Sequence, residues 1–258
     1  MKSASVIWTS MTLQMKQTFA RNMFKFTLFV GPLLTTIVLG EMFRFSGADS
    51  FVAYVVLGSG IWSLWNSIAF SSAGDINRER FTNTLSIIFS TPADFRKILL
   101  GKIFGNTILS MGSFFLSVFF AIILYRPTIY VANWGLLFVA LILTIAAFII
   151  MSIFIAYLLT LSRKTTIWMN CLEVPFALLC GFVFPIENLP QVVQYFSWAF
   201  PPTWAVRLLR YPVTETGYTF TEALIPLLIT MAVFALLAGF LYKAIFKQAK
   251  VLGTLDMA

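Results

Sequence analysis

An all-α integral membrane protein with six transmembrane helices is the fold class this sequence predicts, on three observations. Of its 258 residues, 59% are hydrophobic and 11% charged, with mean hydropathy +0.88. A soluble domain carries about 45–50% apolar and about 25% charged residues, so this much apolar surface exceeds what one soluble core can hide. Apolar runs long enough to cross a bilayer recur along the chain. They lack the strict alternation of barrel strands, which leaves helices as the spanning form. Finally, the lysines and arginines segregate between alternate connections.

The N-terminal segment 1–22 reads as an amphipathic interfacial helix. Ile7, Trp8, Met11, Met15 and Phe19 recur at helical spacing on one face. Lys2, Ser10, Gln14, Lys16, Gln17 and Arg21 lie mostly on the other. Such a helix lies in the headgroup layer with Trp8 at the boundary. No uninterrupted apolar region follows the first lysine, which argues against a signal peptide.

The spans are read at 26–42, 51–72, 103–125, 134–161, 167–185 and 224–246, within a single transmembrane domain covering 1–258. The third has a helical lead-in over 95–102. The fourth exceeds one bilayer thickness and should tilt or project. Fourteen of the 18 cationic residues fall in the N-terminal segment, the second loop, the fourth loop and the C-terminal segment. The other four, Arg44, Arg126, Arg207 and Arg210, fall on the opposite side. Both termini are therefore expected in the cytoplasm. This accounts for the net charge of +8 without nucleic acid.

Between the second and third spans lies a polar island, 75–97, the largest surface offered to a water-soluble partner. Asn83 tolerates a left-handed backbone and can break the preceding helix. Thr84 can cap a short new one, on which Leu85, Ile88 and Phe89 form an apolar knob. Thr91-Pro92 stops it, because proline disfavours helix at the residue before it. Asp94 can cap the next helix. A solvated loop with apolar residues against headgroups is the competing reading.

Inside the spans, Ser59, Ser63, Ser67 and Ser71 recur every four residues, with Trp62 and Asn66 nearby. Such a row either lines a polar translocation path or lets helices pack closely and hydrogen-bond. Gly101, Gly105, Ser113 and Ser117 make a similar row in the third helix. Glu173 is a carboxylate inside the fifth span, either functional or paired with Arg163 and Lys164. The chain has no histidine, and its two cysteines, Cys171 and Cys180, read as small core residues. No metal site is expected.

The external region 186–218 holds an apolar, aromatic stretch too short to span, bracketed by Pro185, Pro190, Pro201 and Pro202. This fits a pair of short helices that re-enter or lie on the outer leaflet, anchored by Tyr195, Trp198 and Trp204. Together with the run Asn83-Thr84-Leu85-Ser86 through Thr91-Pro92, then Leu100-Gly101-Lys102, it resembles the membrane subunit of ABC-2 type exporters. The second match is Gly181, Pro185, Leu189-Pro190, Pro201 and Arg207. Asn83 and Ser86 depart from the glycine and glutamate usual in that family.

The resemblance implies a half-transporter that pairs with a second permease, a copy or a paralogue. It implies docking of a separate nucleotide-binding ATPase through Glu79, Arg80, Asn83, Thr84, Leu85, Ile88, Phe89, Thr91 and Pro92. ATP and Mg would sit on that partner, with no cofactor on this chain, which has no G-x-x-x-x-G-K-[ST] phosphate cradle. The implied setting is a bacterial plasma membrane and its lipid. The implied cargo classes are amphipathic or drug-like molecules, glycolipids, polysaccharides and peptides. The substrate path would follow Ser59, Trp62, Ser63, Asn66, Ser67 and Glu173, with an outer region marked by Pro185, Leu189, Pro190, Trp198 and Pro201. An ion-coupled secondary transporter is the alternative, but it needs several midplane ionisable groups. An intramembrane enzyme is disfavoured, because neither histidine nor a close carboxylate pair is available.

The charge asymmetry makes a direct prediction. A cysteine at position 188, replacing Asn188 in a chain lacking Cys171 and Cys180, should react with an impermeant thiol reagent applied outside the cell. Labelling only after permeabilisation would reverse the orientation.

Overall fold

The computed structural model describes residues 3–45, 47–82, 94–161, 167, 174–213 and 217–251. Among them every regular element is helical. In chain order these are α1 (Ser3–Ala20), α2 (Asn22–Met42), α3 (Ala48–Phe51), a π-helical turn (Val52–Leu57), α4 (Gly58–Phe81), α5 (Phe95–Tyr125) and α6 (Trp134–Leu161). A short helical stretch at 174–179 and a 3-10 turn (Ile186–Asn188) follow, then α7 (Gln191–Trp198), α8 (Pro201–Arg210) and α9 (Phe220–Val251).

Four stretches are long and apolar enough to cross a membrane: Phe24–Met42, Phe95–Tyr125, Trp134–Thr160 and Phe220–Ile245. They match the first, third, fourth and sixth expected spans, and the lead-in at 95–102 is continuous with α5. The second expected span appears as a shorter apolar helix, Val52–Ile68. Most of the fifth lies outside the described residues.

The second span is less apolar because it is the centre of the bundle. From Val52 to Ile68 nearly every side chain is buried, against α2, α5, α6 and the 176–183 region. Its serines therefore meet protein, not hydrocarbon. Ser117 Oγ donates to Ser59 Oγ at 2.8 Å, while Ser63 pairs with Thr35 at 3.3 Å and Ser67 with Ser113 at 3.2 Å. Thr36 and Ser117 add a contact at 2.9 Å. In a low-dielectric interior an unmade bond of this kind costs about 1–3 kcal/mol, so hydroxyls on three helices lock α2, α4 and α5 in register. Trp65 fills the adjoining core, stacked on Phe176 at 4.7 Å and meeting Phe148 edge-on at 5.6 Å.

Residues 3–20 of the expected N-terminal helix form α1, but its sides are used differently from the amphipathic reading. Gln14 and Thr18, expected to be polar surface or left unassigned, are fully buried. Trp8 and Phe19, from the expected apolar face, point outward and are exposed. The reason is the row of small residues on α5. A Cβ at Gly101 would stand 2.6 Å from the Ile7 carbonyl oxygen, and one at Gly105 would stand 2.8 Å from that of Met11. The α1 backbone thus lies directly on α5, and the polar stripe of α1 finds partners there.

Replacing Gly105 with valine should separate these helices. Overpacking of this kind costs about 1–3 kcal/mol. The expected outcome is a lower unfolding temperature in detergent and faster proteolysis within α1; an unchanged protein would mean that the close approach carries no energy.

Candidate functional site

Two polar assemblies stand at opposite ends of the bundle. The first centres on Asp75, which is 3% exposed at the side chain. Arg21 and Arg78 donate to its Oδ1 at 3.0 and 2.9 Å. Asn106 Nδ2 donates to its Oδ2 at 3.1 Å, and Gln14 Nε2 donates to the same oxygen. Gln14 also donates to Thr18 Oγ1 at 2.8 Å, and Thr18 donates to Asn106 Oδ1 at 3.2 Å. One turn further along, Glu79 pairs with Lys102.

Helical spacing produces this convergence. Asp75, Arg78 and Glu79 lie at offsets of three and four on α4, Lys102 and Asn106 at four on α5, and Gln14, Thr18 and Arg21 at four and three around α1. Four donors occupy the acceptor sites of one carboxylate, which is what a buried anion requires. Arg21 and Arg78 are themselves half-exposed, so their pairing contributes less than the burial of Asp75 suggests.

This assembly stands at the root of the segment 83–93. On the upstream side, α4 is pinned to α1 and α5 through Asp75 and Glu79. On the downstream side, Asp94 caps α5 by accepting from the Arg96 N–H at 3.1 Å. Tyr242 of α9 donates to Asp94 Oδ1 at 3.3 Å, and the Arg96 guanidinium sits 3.8 Å from the centre of its ring. Both helices that flank the segment are therefore braced, by different parts of the bundle.

The second assembly lies at the other end. Gly181 has φ +72°, with Phe182 N–H bonding back to Ala177 O and Gly181 N–H to Leu178 O, so a Schellman motif ends the 174–179 helix. The chain then runs through Pro185 into the 3-10 turn and through Pro190, at the N-cap, into α7. Pro201 opens α8 at its first position. Thr203 Oγ1 donates to Ser197 O at 2.6 Å and Trp204 Nε1 to Trp198 O at 2.8 Å, tying α7 and α8 into a hairpin. Arg207 pairs with Glu187 at 3.0 Å.

Most of α8 is buried against α6 and α9. Thr144, ten residues into α6, donates to Ala205 O at 3.2 Å, so α8 enters to about 15 Å below the start of that helix. At its end Arg210 is buried. Its Nε donates to Ala53 O at 3.1 Å, its Nη2 to Phe182 O at 3.0 Å, and its guanidinium covers the Tyr54 ring at 4.1 Å. Ala53 belongs to the π-helical turn, whose widened ring disturbs the usual carbonyl pairing. A Cβ at Gly58 would stand 2.6 Å from Phe182 O, so that glycine lets the two segments of this clamp meet.

The family model described as ABC-2 family transporter protein matches residues 3–240. The chain belongs to the ABC-2 transporter family. No curated protein matches it. As an ABC-2 family member the chain is a multi-pass membrane permease component, a transport protein rather than an enzyme.

The described residues of this ABC-2 family chain include some of the expected site residues and leave out others. Ser59, Ser63 and Ser67 lie in helix–helix contacts, and Trp62 and Asn66 are half-buried on the same helix. Pro185, Leu189, Pro190, Trp198 and Pro201 frame the hairpin; Leu189 O accepts from Gln194 Nε2 at 2.7 Å. Glu79 joins the ion pair with Lys102. Arg80 lies on α4, but its side chain is outside what is described. Asn83, Thr84, Leu85, Ile88, Phe89, Thr91, Pro92 and Glu173 lie outside the described residues. Sequence reading missed the Asp75 assembly and the inward role of Arg210, which was counted among loop cations. The polar offsets of four on α1, α4 and α5 were the available signal for the first; Arg210 had none.

Replacing Arg210 with methionine should leave two buried carbonyls without their guanidinium donor, at about 1–3 kcal/mol each. Thermal unfolding in detergent should report the loss. Lysine, with a single ammonium, should restore only part of it; full rescue by lysine would mean that charge alone, not the two-point clamp, matters.

Proposed function

We propose that this chain is the permease half of an ATP-driven exporter in a bacterial plasma membrane. Six spans, both termini in the cytoplasm and an outer hairpin entering the external leaflet form the half-transporter. A second permease, copy or paralogue, completes the path. A separate ATPase carrying ATP and Mg drives it through segment 83–93, and the interfacial side of α1 rests on lipid headgroups through Trp8 and Phe19.

The observation that carries this reading is the bracing on both sides of segment 83–93. A push on a solvated loop is dissipated by soft connections. Here α4 is held to α1 and α5 by the Asp75 assembly, and α5 is held to α9 by Tyr242. Movement imposed at the segment by ATP-dependent closure therefore reaches four helices at once. The substrate passes along the interface between the two permeases, beside the second and fifth spans. The cargo class is an amphipathic or drug-like molecule, a glycolipid or polysaccharide, or a peptide.

The test is a Phe89→Asp variant. Burial of an apolar side chain of this size contributes about 1.5–3 kcal/mol to docking, so a carboxylate there should detach or uncouple the ATPase while the bundle inserts normally. Co-purification of the ATPase and ATP-driven export are the measurements. Wild-type export by this variant, and by Leu85→Asp and Ile88→Asp, would remove the coupling assignment.

A further inference from the structure

We propose that a cavity between α5 and α6 is a binding site for one acyl chain of an outer-leaflet phospholipid. The cavity has a volume of about 290 Å³, near the lower end of the roughly 300–1,000 Å³ range of ligand pockets. Only apolar side chains line it. Val56, Phe114 and Leu209 form its buried floor, while Phe115, Ile122 and Phe138 stand exposed at its rim.

Three observations select the occupant. The first is location: the cavity opens between two helices long and apolar enough to cross the membrane, so its mouth faces hydrocarbon. Both helices pack closely on α4 but touch each other much less, which leaves the gap. The second is chemistry. An apolar cavity of even about 150 Å³ stays dry and takes apolar guests. Water is excluded here, and an empty void would forfeit the contacts of its walls. The third is depth. The lining on α5 runs from Phe114 to Ile122, about 12 Å of helix rise. One leaflet of a bilayer with a hydrocarbon core of about 30 Å is about 15 Å deep. The cavity thus matches a single leaflet on the side of the α5–α6 connection. Arg126, exposed at the end of α5, stands at the level of that lipid's phosphate.

The site has a structural consequence. Its walls include Val52, Val56 and Leu57 of the π-helical turn and Leu209 and Val213, which flank Arg210. A bound chain touches both sides of the clamp that Arg210 makes with Ala53 and Phe182. Occupancy therefore supports the outer hairpin from behind, and this holds whichever cargo the transporter moves.

The experiment uses the full chain reconstituted in phosphatidylglycerol–phosphatidylethanolamine vesicles containing a phospholipid with a photoactivatable group midway along one acyl chain. After illumination, labelled peptides are mapped by mass spectrometry. Labelling of 114–122 and 134–141 should exceed several-fold that of the equally lipid-exposed α9 stretch at the same depth, around Ile225 and Ile229. A Leu141→Trp variant, which fills the cavity, should lower the first several-fold and leave the second unchanged. Equal labelling of both regions in the wild-type protein would mean bulk lipid contact only and overturn the proposal, without any variant having to fold. Undiminished labelling in a correctly inserted Leu141→Trp protein would overturn it equally. Neither outcome depends on export or on an ATPase.

Discussion

The cost of burying a polar group in a low-dielectric bundle shapes this structure: most buried polar side chains find partners within it, while among the described residues Gln14 Oε1, Trp65 Nε1 and Ser152 Oγ do not. That cost places the least apolar of the long helices at the centre. α4 carries five serines and two asparagines, and such a helix is stable only where neighbouring helices supply partners. Ser117, Ser113 and Thr35 supply them. Once α4 is central, α2, α5 and α6 must surround it, and their outward faces become the strongly apolar surface that meets lipid.

The same cost explains the two ends. At the end that holds α1, a buried carboxylate is acceptable because donors from α1, α4 and α5 converge on it. On the other side, the π-helical turn and the end of the 174–179 helix present carbonyls that Arg210 collects. Each end is thus closed by a charged group that binds elements distant in sequence: Asp75 lies 61 residues from Gln14, and Arg210 lies 157 from Ala53. The hydroxyl contacts of the central helix join these two ends. Motion imposed at one has a packed route to the other through α4, which runs from the Arg210 clamp to the Asp75 assembly.

Much of the fold was legible because bilayer thickness and apolar run length are tied together. The spans at 134–161 and 224–246 lie within a few residues of α6 and α9, and the proline-framed hairpin at 186–210 follows from what proline allows at helix starts. The short helix expected between Asn83 and Pro92 rests on local helix punctuation and lies outside the described residues. The N-terminal helix was legible as a helix but not as to its packing. Periodicity reports which face is apolar, and in a membrane protein the apolar face can be the one turned away from the bundle.

The sequence by itself determined membrane class, helical content and the positions of the four apolar helices long enough to span. Each of these depends on composition or on short-range spacing. Only the tertiary structure decided that Gln14, Thr18, Asn106 and Asp75 share one buried site, and that Arg210 is a clamp and not a loop cation. It also showed that Gly101 and Gly105 exist to admit the backbone of α1. The physical reason is that a polar side chain carries no mark of its partner. Whether it is solvated, buried or bridging is set by the helix that arrives opposite it, and that is a property of the packed bundle.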